Sequence, residues 1–286
     1  MFSTKQLRYA AASMLMLTSA SAYADVHITA AANTCTPALN NLLDSLITDF
    51  QSTYSPGFAV SVDECGATGD ITNEILAALA VNLGNSPYDI FFAANTAAPA
   101  TLRSSYPESS GLGVYPPVNY ARGTLELLTV DQSLDISSGV PVTPGSPPTL
   151  TVNTAIANPT TAPYGSAAKQ VLDGLGIVTP PASPYDANLS IEPDIGATYN
   201  SIVAYPAAGS HRAGFVAKSQ LCQGGGGVDS GTIYYEYTSG YTPIVQAFVR
   251  IGRTGGNDTQ VQQFLTYLST TAATDIFNGF CYVPLL

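Results

Sequence analysis

Three short segments of the chain have the residue types and spacing to hold an anion: Ala32-Asn33-Thr34, Gly66-Ala67-Thr68-Gly69 and Ala162-Pro163-Tyr164-Gly165. Each follows an apolar run and opens an amphipathic one, so each reads as a strand-to-helix turn. At such a turn the first backbone N–H groups lack an intrahelical acceptor, and the positive end of the helix dipole points outward. None of the three carries a lysine or arginine. A site built from them meets an anion with backbone dipoles in place of a countercharge, at roughly 1.5–3 kcal/mol per hydrogen bond to a charged group. Taken singly, they also read as ordinary caps and turns.

Catalytic patterns are weaker. Ser166-Ala167-Ala168-Lys169 matches S-x-x-K, in which the lysine activates the serine, but the S-D-N and K-T-G partners are absent and the four residues fall inside a helical pattern. No G-x-S-x-G elbow occurs, and Lys218-Ser219 lacks the glycines of a phosphate loop. His211, beside Arg212, reads as a solvated surface residue, and Asp89, ahead of a buried strand, as structural. No enzyme is expected. Cys35, Cys65, Cys222 and Cys281 have neither C-x-x-C spacing nor histidines beyond His27 and His211, so no zinc site and no cofactor are expected.

The elements that position these residues alternate strand with helix. Val26 to Ala32 reads as a buried strand. Thr36 as N-cap and Pro37 at the first helical position then introduce a helix bearing Leu39, Leu42, Leu43, Leu46, Ile47 and Phe50. A strand over Phe58 to Val62, a helix carrying Ile71, Ile75, Leu76, Leu79 and Leu83, and a strand over Tyr88 to Ala93 complete a β-α-β-α-β order, which demands a parallel sheet with right-handed crossovers. Strands over Thr124 to Val130 and Thr151 to Ala157, split by a proline-rich loop, precede a helix with Ala167, Ala168, Val171, Leu172 and Leu175 that Gly176 stops. Gly214 to Ala217 and Pro243 to Ile251 read as strands, Gly224 to Gly227 as a loop, and Val261, Phe264, Leu265 and Leu268 as one helix face. Two α/β lobes fit this order better than one.

Composition narrows the partners. Apolar residues make up 45% of the 286-residue chain, enough for a sizeable core, and charged residues only 10%. Nine basic against 20 acidic residues give a net charge of −11, which excludes a grip on nucleic acid by phosphate neutralisation and argues against docking on anionic lipid. Lys5 and Arg8, the apolar run Tyr9 to Leu17 and the small residues Ala22 and Ala24 read as a secretory signal peptide over 1–24, cleaved after Ala24. Removing it takes the charge to −13 and leaves a soluble, periplasmic chain. In that oxidising compartment the four cysteines form two disulfides, with three pairings open.

Six segments in order carry a resemblance: Ala31-Ala32-Asn33; Gly66-Ala67-Thr68-Gly69; Pro87-Tyr88-Asp89-Ile90-Phe91-Phe92-Ala93; Tyr120-Ala121-Arg122-Gly123; Ala157-Asn158-Pro159 with Ala162-Pro163-Tyr164-Gly165; and Gly214-Phe215-Val216-Ala217-Lys218-Ser219-Gln220. From Val26 to Tyr282 the chain resembles the periplasmic molybdate-binding proteins. The resemblance implies a two-lobed periplasmic binding protein of type II, each lobe a mainly parallel sheet flanked by helices, with a tetrahedral oxyanion in the cleft between them. It implies chain crossings near Asn119 to Thr124 and Gly240 to Ile244, so that 25–120 and 243–286 form lobe I and 121–242 lobe II.

The resemblance also implies a monomeric receptor that hands molybdate, or tungstate, to an ABC transporter permease. It assigns anion contacts to Asn33, the Ala67-Thr68 pair, the Tyr164 amide and Tyr199, in the turn Gly196-Ala197-Thr198-Tyr199. The family usually has serine where Ala67 stands, and some relatives have a ligand-contacting tyrosine where Ala217 stands. Backbone donors separate molybdate poorly from the similarly sized tungstate, whereas sulfate is smaller and sits loosely. A receptor for a different small anion, or an enzyme on this scaffold, is the alternative. The two neighbouring turns of lobe I and the return of the C-terminus imply the pairings Cys35–Cys65 and Cys222–Cys281.

Overall fold

The computed structural model describes residues 26–36, 40–54, 59–222, 224–225, 227–228 and 230–286. The signal peptide and its cleavage site, Pro37, Leu39, Phe58 and Gly226 lie outside them. The chain begins with β1 (Val26–Ala31), the single turn α1 (Ala32–Cys35), and α2 (Leu42–Asp49), which continues as a π-helical turn over Phe50–Tyr54. Next come β2 (Val60–Gly66), α3 (Thr68–Val81), β3 (Ile90–Ala93), α4 (Ala97–Ser105), β4 (Gly113–Val114) and β5 (Val118–Gly123). The middle of the chain forms β6 (Leu125–Thr129), β7 (Val142–Thr143), β8 (Thr149–Leu150), β9 (Thr154–Ala157), α5 (Pro163–Gly174), β10 (Leu189–Glu192), α6 (Ile195–Val203), β11 (Ala213–Ala217), a 3-10 turn (Lys218–Gln220) and β12 (Ile233–Tyr237). The last part is β13 (Ile244–Gly252), α7 (Asp258–Tyr267), α8 (Thr271–Gly279) and β14 (Val283–Pro284).

Two sheets organise these elements. The first runs β14-β5-β13-β3-β1-β2, with β4 added beside β13; β1 pairs in parallel with β2 and β3, while β13 is antiparallel to β3 and β5. The second runs β10-β9-β11-β6-β12, parallel on one side and antiparallel where β6 enters. Only Thr124 separates β5 of the first sheet from β6 of the second, and the chain returns between β12 and β13. Every residue of β3, β6, β9 and β11 is buried, because helices cover both faces of a sheet of this kind. The core of the first lobe collects on Phe50, Phe92, Tyr120, Phe264 and Phe277, that of the second on Leu125, Leu127, Ile156, Leu172 and Phe215.

Two local expectations are corrected. Thr36 does not cap the first long helix: it is the extended residue that ends α1, and α2 begins at Leu42, where the Asn41 side chain accepts the Asp44 N–H at 2.9 Å. Asn40 turns the chain with φ of 57° just before this cap, a conformation that asparagine tolerates. His211 is not solvated. It is 6% exposed, its backbone N–H bonded to Ser201 O of α6 at 3.1 Å and its ring Nδ1 3.6 Å from the Glu192 carboxylate. Its neighbour Arg212 pairs with Asp131 at 2.7 Å. Asp89 is structural, accepting from Arg253 Nε at 2.6 Å and from the His27 N–H at 2.9 Å. Lys169 is held by Asp173 one turn further along α5, away from any catalytic pairing with Ser166.

One buried acid makes stability depend on pH. Glu126, on β6, is 0% exposed, and neither carboxylate oxygen has a hydrogen-bond partner; Lys218 Nζ stands 3.8 Å away and is already paired with Glu236. Burial, helped by the Glu236 charge and opposed by Lys218, pushes the Glu126 carboxyl up to about 8. A carboxyl that holds its proton in the fold but not in the unfolded chain favours the fold at low pH and loses that contribution as pH rises through the folded value. Thermal unfolding is therefore expected at a lower temperature at pH 8.5 than at pH 5.5. The Glu126→Gln variant, neutral at every pH, should flatten the profile by about 1.4 kcal/mol for each unit of the shift. Identical profiles for the two proteins would refute this reading.

Candidate anion-binding site

Between the sheets lies a cavity of about 10 Å³, lined by Ala31, Ala32, Asn33, Gly66, Ala67, Thr68, Ala94, Ala162, Pro163, Tyr164, Asp194 and Ile195. That is far below the roughly 300–1,000 Å³ of clefts that hold drug-sized molecules and about the room of one water molecule, so only a small ion can be accommodated, and only as the walls give way. The N-termini of α3, α5 and α6 converge on it, joined by the single turn α1. In α3 the Gly69 amide is bonded to Thr161 O at 2.7 Å, so the Thr68 amide is the one left without a helical acceptor. In α5 Pro163 has no N–H to offer, and the amides of Tyr164 and Gly165 come first. In α6 the Asp194 side chain caps the Ala197 amide at 2.8 Å, leaving those of Ile195 and Gly196. Among the described residues no lysine or arginine lines the cavity.

Side chains supply the remaining polarity. Thr68, 1% exposed, accepts the Ala94 N–H on its hydroxyl oxygen at 3.1 Å, so its own proton is available to donate. Asn33, 2% exposed, donates Nδ2 to Gln246 Oε1 at 2.8 Å and to the Tyr282 hydroxyl at 2.7 Å, while its Oδ1 has no partner. Gln246 Nε2 in turn donates to the Tyr164 hydroxyl at 3.0 Å. Burial pushes the phenols of Tyr164 and Tyr120 well above their usual value and that of Tyr282 up to about 12, so all three keep their protons at neutral pH. Gly123 sits beside this network where a Cβ would lie 2.0 Å from the Tyr164 hydroxyl, so no larger residue fits.

The structure thus brings Asn33, Ala67, Thr68 and Tyr164 to one cavity and does not bring Tyr199 there. Tyr199 lies a full turn into α6, where its side chain lines a separate depression with Leu128, Gln220 and Leu221. The first turn of that helix reaches the cavity instead, through Ile195, which the sequence reading missed because a backbone donor leaves no mark in side-chain chemistry. Gln246 was also missed; its signal is a lone amide within the apolar run Ile244 to Ile251. Ala217 is fully buried in β11 and does not line the cavity.

The halves are in contact across the cavity. Gly69 of α3 meets Thr161 of the second lobe, and Ser219 donates to Asn33 O at 3.0 Å. Cys35–Cys65 joins the end of α1 to the end of β2, next to the Ala67 turn. Cys222–Cys281 joins the segment after β11 to the segment after α8, and so links the second lobe covalently to the first. Among the described residues no group of three metal-ligating side chains occurs, and no helix is long and apolar enough to cross a membrane.

Comparison with known proteins bears on this geometry. The chain is 27% identical over 281 residues to the molybdate-binding protein ModA of Azotobacter vinelandii, covering 98% of each, and 27% identical over 201 residues to that of Rhodobacter capsulatus, covering 69% of this chain and 70% of that one. Among solved structures it superposes on the Azotobacter vinelandii periplasmic molybdate-binding protein with a TM-score of 0.68 at 22% identity, over 91% of this chain and 100% of that one. A phosphate-bound substrate-binding protein from Clostridium perfringens follows at 0.58 and 10% identity, over 92% and 100%. The fold is accordingly the two-lobed α/β fold of type II periplasmic binding proteins. Residues 31–282 match the family model described as bacterial extracellular solute-binding protein, and the chain belongs to that family of exported ligand receptors, which are not enzymes.

Proposed function

We propose that this protein captures a tetrahedral oxyanion, molybdate or the similar tungstate, between its lobes and delivers it as a monomer to the permease of an ABC importer. The observation that carries the reading is the convergence of three long-helix N-termini on one small cavity that, among the described residues, no cationic side chain lines. Such a cavity meets two negative charges with N–H dipoles fixed in place before the ion arrives. The relatives' names favour molybdate, and the backbone donors are the amides of Thr68, Tyr164 and Ile195, with the Thr68 hydroxyl added. The two rigid bodies, expected over 25–120 with 243–286 and over 121–242, then part at Thr124, since β5 carries the first through Gly123, and close about the two crossings. The leader 1–24 is removed on export, leaving Asp25 as the first residue.

A second reading, a proton-bearing oxyanion such as hydrogen phosphate, is favoured by two acceptors at the cavity, Asn33 Oδ1 and the Asp194 carboxylate. Calorimetric titration of the mature protein with molybdate, tungstate, sulfate and phosphate separates the two. Molybdate and tungstate are expected to bind alike and more tightly than the others, with little change between about pH 6 and 8, where no proposed contact titrates. Thr68→Val removes one charge-assisted hydrogen bond, about 1.5–3 kcal/mol, and should weaken molybdate about 10- to 150-fold. Thr68→Ser retains the hydroxyl and should restore most of it. If none of the four anions binds the folded protein at millimolar concentration, the oxyanion reading falls.

A further inference from the structure

Behind the cavity a buried set of hydrogen bonds crosses from one lobe to the other through Gln246, which is 0% exposed. Its Oε1 accepts from the Tyr120 hydroxyl at 2.6 Å and from Asn33 Nδ2 at 2.8 Å, both of the first lobe. Its Nε2 donates to the Tyr164 hydroxyl of the second lobe at 3.0 Å. With Nδ2 so engaged, Oδ1 of Asn33, a residue that lines the cavity, is left buried without a partner. An unpartnered acceptor there opposes a fully deprotonated anion, yet the same framework can present a donor. We propose that Gln246 is a specificity-determining positioning residue: when a fully deprotonated tetrahedral anion binds, the carboxamides of Gln246 and Asn33 reverse together, Asn33 offers Nδ2 to the ligand, and oxyanions that keep a proton are disfavoured.

The partners present permit the reversed arrangement. Gln246 Nε2 then donates to Asn33 Oδ1 and to the Tyr120 oxygen, whose proton turns to Ala93 O, now 3.4 Å away. Gln246 Oε1 accepts the proton of the Tyr164 hydroxyl. The Tyr282 hydroxyl, which now donates to Asn33 O at 3.1 Å, turns to Asn33 Oδ1, and Asn33 O keeps its bond from Ser219 at 3.0 Å. Neither carboxamide can reverse alone: turning Asn33 by itself sets its Oδ1 against Gln246 Oε1 across the 2.8 Å that now holds a hydrogen bond, two acceptors with no proton between them. Because Tyr164 supplies the proton that satisfies the reversed Gln246, the reversal is available only when the lobes are together. The remaining fixed acceptor at the cavity, Asp194, already has Oδ1 committed to the Ala197 amide.

The inference rests on the oxyanion reading above, and its test separates the two. In isotope-labelled mature protein, the Gln246 side-chain amide protons, assigned by their loss in Gln246→Met, should show nuclear Overhauser contacts to the Tyr164 ring without ligand and to the Tyr120 ring with sodium molybdate. In parallel, Gln246→Glu replaces a reversible amide with a group that only accepts when ionised, which holds Asn33 with Oδ1 toward the ligand. At pH 8 molybdate and hydrogen phosphate are both dianions, so the added charge repels them alike. The ratio of molybdate to phosphate affinity should nevertheless fall at least 10-fold relative to wild type, and should fall less, about 3-fold or more, in Gln246→Met, which no longer holds Asn33 with Nδ2 toward the ligand but does not hold it the other way either. Contacts to the same ring in both states, or an unchanged ratio in Gln246→Glu, overturn the inference and leave the oxyanion reading standing. Failure of wild type to bind either anion removes both.

Discussion

Gly69→Val is expected to weaken oxyanion binding by a factor of about 100 or more while leaving the melting temperature of the unliganded protein nearly unchanged. A Cβ at Gly69 would stand 2.9 Å from Thr161 Cα, a backbone atom that cannot swing aside. The Gly69 N–H also makes the 2.7 Å bond to Thr161 O that joins the lobes. Valine keeps them apart without disturbing either core, since α3 buries Ile71, Ile75 and Leu79 on its other positions. An anion bound to the first lobe alone then loses the amides of Tyr164 and Ile195. Two charge-assisted bonds at about 1.5–3 kcal/mol each amount to roughly 3–6 kcal/mol, or about 10²- to 10⁴-fold in affinity. Calorimetry gives the affinity, and small-angle scattering with and without molybdate should lose any compaction that wild type shows. A variant that binds and compacts like wild type would exclude the Gly69–Thr161 contact as the closing surface.

Removing the interlobe disulfide should have the second large effect, on stability and on release together. Cys222 and Cys281 are 59 residues apart in sequence, and closing a loop of that length restricts the unfolded chain by about 4 kcal/mol on the chain-entropy account. The Cys222→Ser/Cys281→Ser double variant is expected to melt about 10 °C lower. It should also release molybdate faster, because the bond ties the segment after β11 to the end of α8 and limits how far the lobes part. Cys35→Ser/Cys65→Ser is the control, since that bond lies within the first lobe: it should lower stability without freeing the lobes. Calorimetric melting with stopped-flow release distinguishes them. Equal release rates in the two double variants would show that the Cys222–Cys281 link does not restrain opening.

The sequence was most legible where side-chain pattern and backbone need coincide. Pro163 at the first position of α5, after the small buried strand β9, defines that turn from residue type alone, and the repeated apolar spacing of Ile71, Ile75 and Leu79 defines the buried face of α3. Legibility failed where competing local signals existed. Thr36-Pro37 has the form of a helix start, but Thr36 is extended and Asn41 caps the helix that forms. It failed again where the cavity is lined by main chain: Ile195 and Tyr199 share one helix, and only the fold shows which turn of it faces the cavity. Gln246, Tyr120 and Tyr282 come from three strands or segments far apart in sequence, so no spacing could announce their meeting.

The alanines of the cavity wall have a consequence of their own. Ala31, Ala32, Ala67, Ala94 and Ala162 wall a cavity with no room for water beside an ion, so a bound oxyanion must shed its hydration shell rather than carry part of it inside. The free energy of stripping water from an ion of given charge falls as its radius grows, by the same Born argument that makes buried charges costly. Molybdate, the broader tetrahedron, surrenders its water more readily than sulfate does. A wall of methyl groups therefore selects through the solvent left outside, and it does so before any difference among the donor atoms is felt.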